Sequence, residues 1–428
     1  KLLDSAFWIL NEADYEPADS FDKLVDRYRY QDCLIDTHYR DFYTSYDSLE
    51  STEEFEQIRE LVENIYTSEY LDELIPNWCR SFSDNVETKI PSQTNFYNRY
   101  IAPIVSKPAA KVIVIISDAM RFEVGHELCA RFDNDPQCDA SIEPMICNLP
   151  SFTKLGMATL LPHRNLVLTE DFKVLVDDQP CDSTDQREAI LKAKKPNSRC
   201  FIFDDLKTWK QAELRKAFGG VDVVYIYHNQ IDARGDKINT ESEVFAACTE
   251  AVDEVFTLVK RLSSNTVGSH FIITADHGFI YKRNKLAESD KIEGLNDKSN
   301  FINKRFIISN GLIHADGTAC YPLSKFTNNK DALCVTVPTS TNIFKAPGGG
   351  QNYVHGGASP QEMIVPVIDV RTQAAHIETT KAKIALVSMI NKITSMNVTL
   401  DFVQSEPISD TVKPATYKVY FVSGNNEL

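Results

Sequence analysis

Five short runs of this chain are apolar almost throughout, not at every second step: Lys111–Ser117, Cys200–Phe203, Val221–Tyr227, His270–Ala275 and Met363–Val370. Strands that read this way are buried on both faces, a property of parallel sheets covered by helices. Helical stretches fit between them at 121–133, 152–161, 205–218 and 241–262. The alternation predicts an α/β fold with a doubly wound, mostly parallel sheet.

The residues just past these runs narrow the possibilities. The run Phe271-Ile-Ile-Thr274 leads straight into Ala275-Asp276-His277-Gly278. An adjacent carboxylate and imidazole are poor core material, and strand-end loops are where open α/β sheets place their chemistry. Asp and His together suit a borderline cation such as zinc. Asp118 leaves the strand Lys111–Ser117 in the same way, with Arg121 three residues on. The strand ending at Tyr227 runs into His228, then Asp232 and Asp236 flank Gly235. His228 reads as a core or supporting histidine before it reads as a ligand. His355 lies in the loop Tyr353-Val-His355-Gly356-Gly357, preceded by Gly348-Gly-Gly350.

Two hydroxyls, Ser151 and Thr153, follow Pro150 at the start of the stretch expected to be helical. Residues so placed act as N-caps. A helix N-terminus also favours anions, so the same place suits a nucleophile on phosphorus. The candidate groups amount to four Asp, two His and a hydroxyl, enough for two metals sharing one substrate.

The other properties set bounds. The chain has 428 residues, 43% of them hydrophobic and 25% charged, and no apolar stretch approaches the ~20 residues that span a bilayer. It opens at Lys1 instead of Met and reads as a piece of something longer. Its ten cysteines form no CxxC pair, which predicts reduced thiols, a cytoplasmic location and no cysteine zinc site. Residues 1–100 carry 22 Asp and Glu against 9 Lys and Arg, while the rest of the chain is nearly balanced. No broad basic face is available for nucleic acid, and the acidic segment more naturally meets a protein partner.

Three divisions are expected: a helical segment over 1–100, a catalytic core over 101–375 and a β domain over 376–428, cut short at its end. The first shows apolar residues at helical spacing, as in Ile58, Leu61, Val62, Ile65 and Tyr66. The last alternates, over Lys383–Met389, Asn397–Gln404 and Thr416–Val422.

The wording of the motifs, SDAMRFE, LPSFTKLGMATLLP, HNQIDARGDK, ITADHGFIYKR and VHGGASPQE, resembles the PglZ branch of the alkaline phosphatase superfamily over about 101–375. PglZ proteins belong to BREX bacteriophage-defence systems. The resemblance implies an alkaline phosphatase-like core and a zinc-dependent phosphodiester or phosphate-ester hydrolase. It implies one metal on Asp118, Asp276, His277 and the nucleophilic hydroxyl, and another on Asp232, Asp236 and His355. Many members of the superfamily have His where this chain has Asp236, which leaves manganese or magnesium as well as zinc open for the second ion. Spacing to Pro162 favours Thr153 as nucleophile, with Ser151 the alternative. Arg121 and the basic loop Lys282, Arg283, Lys285 are the expected partners of phosphoryl oxygens, the loop being equally readable as a solvated surface. The C/S-x-P-x-R motif of sulfatases is absent. Implied partners are other defence-system proteins, met through the acidic segment or the β tail, and a phosphoester or nucleotide substrate; no membrane is implied. A second reading keeps the metal but not the turnover, and makes the protein a scaffold of the defence complex.

Overall fold

The computed structural model describes residues 1–13, 20–84, 88–264, 267–293, 300–346, 350–372, 380–388, 398–408, 412–420, 422–423 and 426–427. A six-stranded sheet forms its centre. We label its strands β1 (Val112–Ser117), β2 (Cys138–Ile146), β3 (Ser198–Ile202), β4 (Val223–His228), β5 (His270–Thr274) and β6 (Ile364–Thr372). The spatial order is β2-β6-β5-β1-β4-β3. The neighbours β3, β4, β1 and β5 run parallel, and β6 is antiparallel to both β5 and β2. Every residue of β1 and β4 is buried, as their unbroken apolar sequences require.

Two differences from the sequence reading have local causes. The edge strand β2 lacks the unbroken apolar run of the other strands. Its sequence mixes Asp139, Ser141 and Glu143 with Pro144, and an edge position tolerates both the polarity and the missing N–H. The stretch 205–218 is two helices, Phe203–Thr208 and Gln211–Phe218, because Trp209 and Lys210 are extended and the Glu213 carboxylate accepts from the Lys210 N–H at 2.5 Å. Between β5 and β6 the chain also builds a four-stranded antiparallel sheet from Phe301–Ile302, Ile307–Asn310, Thr318–Pro322 and Leu333–Pro338. Helices Phe122–Asp133 and Val244–Ser264 pack together beside the main sheet, with Phe132 against Phe256.

The described residues before β1 are mostly helical, with wide π-helical turns at Tyr28–Asp32, Ile65–Leu71 and Tyr97–Ile101. Their apolar side chains join the same continuous core as the sheet. Part of the segment's acidity is internal. Asp36 and Glu63 are fully buried, and Arg40 of helix Cys33–Asp47 forms a buried pair with Glu123, 2.9 Å from Nη2 to Oε2.

Beyond β6 the described residues form short pairs: Thr380–Lys381 with Val412–Lys413, Ile384–Leu386 with Phe402–Gln404, and Val422–Ser423 with Asn426–Glu427. Met389, Asn397 and Phe421, which belong to the expected strands, lie outside the described residues, as do Gly348 and Gly349. All ten cysteines are free thiols. Among the described residues no helix is long and apolar enough to cross a membrane.

Candidate metal centre

Asp118 follows β1 directly, and its N–H donates to the His228 carbonyl at 2.8 Å, continuing the parallel ladder one step past the strands. The next residue, Ala119, takes φ 63°, a left-handed conformation that costs a non-glycine residue energy. The turn aims the Ala119 N–H at Asp276 Oδ1, 3.1 Å away. The loop after β1 therefore orients the carboxylate delivered by β5.

His277 is fully buried, and its Nδ1 lies 2.9 Å from the Gly278 carbonyl. A carbonyl only accepts, so Nδ1 carries the proton and Nε2 presents its lone pair. Nε2 faces Asp276 Oδ2 at 3.5 Å, Asp118 Oδ1 at 3.6 Å and Thr153 Oγ1 at 3.1 Å. Thr153 is the first residue of helix Thr153–Thr159, entered through an extended Phe152. That helix reaches the loop closely because residue 156 is glycine; a Cβ there would stand 2.4 Å from the Asp276 carbonyl oxygen.

Potential ligand atoms fall into two groups, each within 4.8 Å of one another: Asp118, Asp276 and His277, and Asp232, His277 and His355. Asp232 is held by the Tyr353 hydroxyl at 3.0 Å, and His355 Nε2 stands 3.7 Å from Asp232 Oδ1. Asp236 belongs to neither group and is exposed. Its carboxyl is nonetheless raised, by partial burial and by the charge of Asp232.

The electrostatics describe a site short of positive charge. Burial, then the neighbouring Asp276 and Asp232, push Asp118 well above the usual carboxylate range. Burial pushes Asp276 up to about 7. His277 and His355 are both lowered, first by burial. Asp118 Oδ1, Asp276 Oδ2 and His355 Nδ1 are buried and have no hydrogen-bond partner among the described residues. Carboxylate oxygens and a bare imidazole lone pair, desolvated and mutually repelling, form the donor set a divalent cation satisfies. The residues present fit such an ion.

Three expected substrate contacts take other roles. Arg121 is fully buried, 2.8 Å from Asp36 Oδ2 and packed over the Phe279 ring, so it neutralises an internal carboxylate and does not face the site. Ser151 donates its hydroxyl to the Gly357 carbonyl at 2.6 Å and its N–H to Gly356 at 3.2 Å; it clasps the His355 loop. In the basic loop, Lys282 Nζ donates to Thr341 Oγ1 at 3.0 Å and Arg283 pairs with Asp47, which leaves only Lys285 exposed. His228 bridges Ser117 Oγ and Glu254, both at 2.9 Å, and serves as a strut between β1 and helix Val244–Ser264.

Sequence reasoning missed the supports. Glu362 receives Arg305 through Nε at 3.0 Å and Nη2 at 2.9 Å, and the Gly357 N–H at 2.8 Å, which fixes the His355 loop. Ser359-Pro-Gln-Glu362 is a capping-box pattern that was open to reading. Arg305 carries no local signal.

The sheet sets Asp118 and Asp276-His277 at the ends of two neighbouring parallel strands, facing a hydroxyl at a helix start, an arrangement that fits an alkaline phosphatase-like domain. Residues 96–370 match the family described as the BREX system PglZ alkaline phosphatase-like domain, and the chain belongs to that family. It is 38% identical over 419 residues to the alkaline phosphatase-like protein PglZ of Bacillus cereus, covering 95% of this chain and 48% of that protein. It is 31% identical over 384 residues to the alkaline phosphatase-like protein BrxZ of Escherichia coli, covering 86% and 44%. The chain thus spans about half the length of the curated relatives it matches. Among solved structures, murine ectonucleotide pyrophosphatase/phosphodiesterase 5 resembles it with a TM-score of 0.44 and 12% identity, over 62% of this chain and 88% of that one.

Proposed function

We propose that this chain carries a metal-dependent phosphodiester or phosphate-ester hydrolase acting in bacteriophage defence, with Thr153 as nucleophile. Asp118, Asp276 and His277 would hold one ion, zinc by the mixed N/O donor set. Asp232 and His355, with Asp236 close by, would hold a second, for which zinc, manganese and magnesium all suit the donors. Such ions, when bound, acidify a hydroxyl and neutralise phosphoryl oxygens. The Thr153 oxygen attacks phosphorus, the bond to the leaving oxygen breaks, and water later releases the phosphoryl group from Thr153.

The observation that carries this reading is the Thr153 hydroxyl 3.1 Å from a His277 nitrogen whose tautomer is fixed by the Gly278 carbonyl. Ser151 is a weaker candidate, since its hydroxyl is engaged with Gly357. The free cysteines support a cytoplasmic setting, and family membership supports partners among other proteins of the defence system.

The test is metal content together with hydrolysis of an aryl phosphodiester and an aryl phosphomonoester, on wild type and Thr153→Ala. Turnover in the wild type, lost in the variant at unchanged metal content, is expected. Stoichiometric metal without turnover on either ester would favour a scaffold, and absence of metal would sink the ligand assignment.

A further inference from the structure

The segment before residue 96 lies outside the matched domain, yet it reaches the metal centre from behind. Gln93 is fully buried. Its Nε2 donates to two successive carbonyls of the ligand loop, Asp276 at 2.8 Å and Ala275 at 3.2 Å. The Asp276 carbonyl also accepts from Cys147 Sγ at 3.2 Å, and Gly156 packs against it with no room for a Cβ. The peptide that carries Asp276 is thus gripped between one amide, one thiol and a helix.

Gln93 is itself anchored. The Pro91 carbonyl accepts from the Ile146 N–H at 2.9 Å, at the end of β2. The Ser92 hydroxyl caps the turn by accepting from the Thr94 N–H at 3.3 Å, and the Thr94 hydroxyl donates to Asn148 Oδ1 at 3.0 Å. A second contact repeats the pattern. Asp36 of helix Cys33–Asp47 meets Arg121, three residues past Asp118, and accepts from Gln361, six residues past His355, at 3.4 Å. Tyr28 and Tyr66 donate to the same carboxylate at 2.8 and 2.6 Å. Two loops are therefore tied to Asp36 and the third to Gln93.

We infer that Gln93 is a positioning residue for the metal centre, and that the helical segment before the matched domain is the back wall that sets the ligand loops. This rests on the metal reading above for its functional meaning, but the clamp on residues 275–276 stands or falls independently. Buried carbonyls need donors, and an amide that supplies two at once leaves the loop a single conformation. Outer-shell partners of this kind typically change metal affinity by about 10–100-fold.

The decisive variant is Gln93→Met, which keeps the volume and removes the donor. Two readouts are compared with the wild type. Amide hydrogen exchange in chelator-treated protein is followed over residues 271–281, and Zn2+ and Mn2+ affinities are measured by calorimetry. Exchange in that loop should quicken about tenfold or more while β2 and helix Cys33–Asp47 stay protected, and metal affinity should fall by roughly 10–100-fold. A purely structural glutamine would lower the unfolding midpoint and leave metal affinity unchanged. Unchanged exchange over 271–281 overturns the inference whether or not metal binds. Quicker exchange in the variant, with a wild type that takes no metal, keeps the clamp and removes the hydrolase reading instead. Gln93→Asn, whose amide is one methylene short of both carbonyls, answers the same questions if the methionine variant does not fold.

Discussion

His277 and His355 lie face to face, ring centroids 4.2 Å apart and planes within 6° of parallel. Burial lowers both imidazoles, and His277 pushes His355 further down, so the pair is held neutral. Asp118 Oδ1 and Asp276 Oδ2 stand 3.6 and 3.5 Å from His277 Nε2, and Asp232 Oδ1 stands 3.7 Å from His355 Nε2. His277 belongs to both ligand groups, and the Thr153 hydroxyl meets its Nε2.

Replacing Asp276 separates function from stability. Its carboxyl is pushed up to about 7, so without metal the folded state loses stability as pH rises from the ordinary aspartate range through about 7. Asp276→Asn keeps the oxygen that accepts from Ala119 and removes the charge. In chelator at pH 8 it should melt higher than wild type, by the equivalent of at least about 1 kcal/mol. With metal present it should lose both the bound ion and hydrolysis. Scanning calorimetry with and without chelator, alongside elemental analysis, checks both halves.

The two hydroxyls near Pro150 should behave differently. Thr153→Ala is expected to lower hydrolysis by at least about a thousandfold while metal content holds. Ser151→Ala should cost about 0.5–1.5 kcal/mol of stability through its lost bond to Gly357, with hydrolysis reduced far less. A reversed ranking would move the nucleophile to Ser151.

The Arg305–Glu362 pair should dominate the order of the His355 loop. Burial alone would raise Glu362, but the Arg305 charge and its hydrogen bonds hold it below the usual glutamate range. A lowered carboxylate contributes stability above about pH 4.5 that is lost as pH falls through its folded value. Glu362→Gln leaves Arg305 uncompensated and should cost about 3–5 kcal/mol at pH 7, and less at pH 4. Urea unfolding at the two pH values reads the difference.

Asp32 should show the opposite sign. Burial raises it to about 6 despite Arg27 Nε at 3.1 Å. Its contribution becomes unfavourable as pH rises from about 4 through about 6. Asp32→Asn should therefore stabilise the protein at pH 8 by on the order of 2–3 kcal/mol and make little difference at pH 4. An equal effect at both pH values would refute the assignment.

The sequence by itself determined the layers of the fold and where its candidate ligands sit along the chain. Short unbroken runs rich in Val and Ile read as strands covered on both faces, so β1, β4 and β5 were legible, and with them the loops that carry Asp118, Asp232, Asp276 and His277. Local grammar of this kind acts over a few residues. The edge strand β2 escaped it because an exposed edge relaxes the apolar requirement. The tertiary structure alone decided which charges face the site. Arg121 looked like a phosphate contact until Asp36, 85 positions earlier in the chain, claimed it. Arg305 and Glu362 meet across 57 positions and Gln93 and Asp276 across 183, distances at which no periodicity or spacing in the chain records the pairing. A buried charge or carbonyl must find a partner wherever the fold brings one, and only the packed chain settles which partner that is.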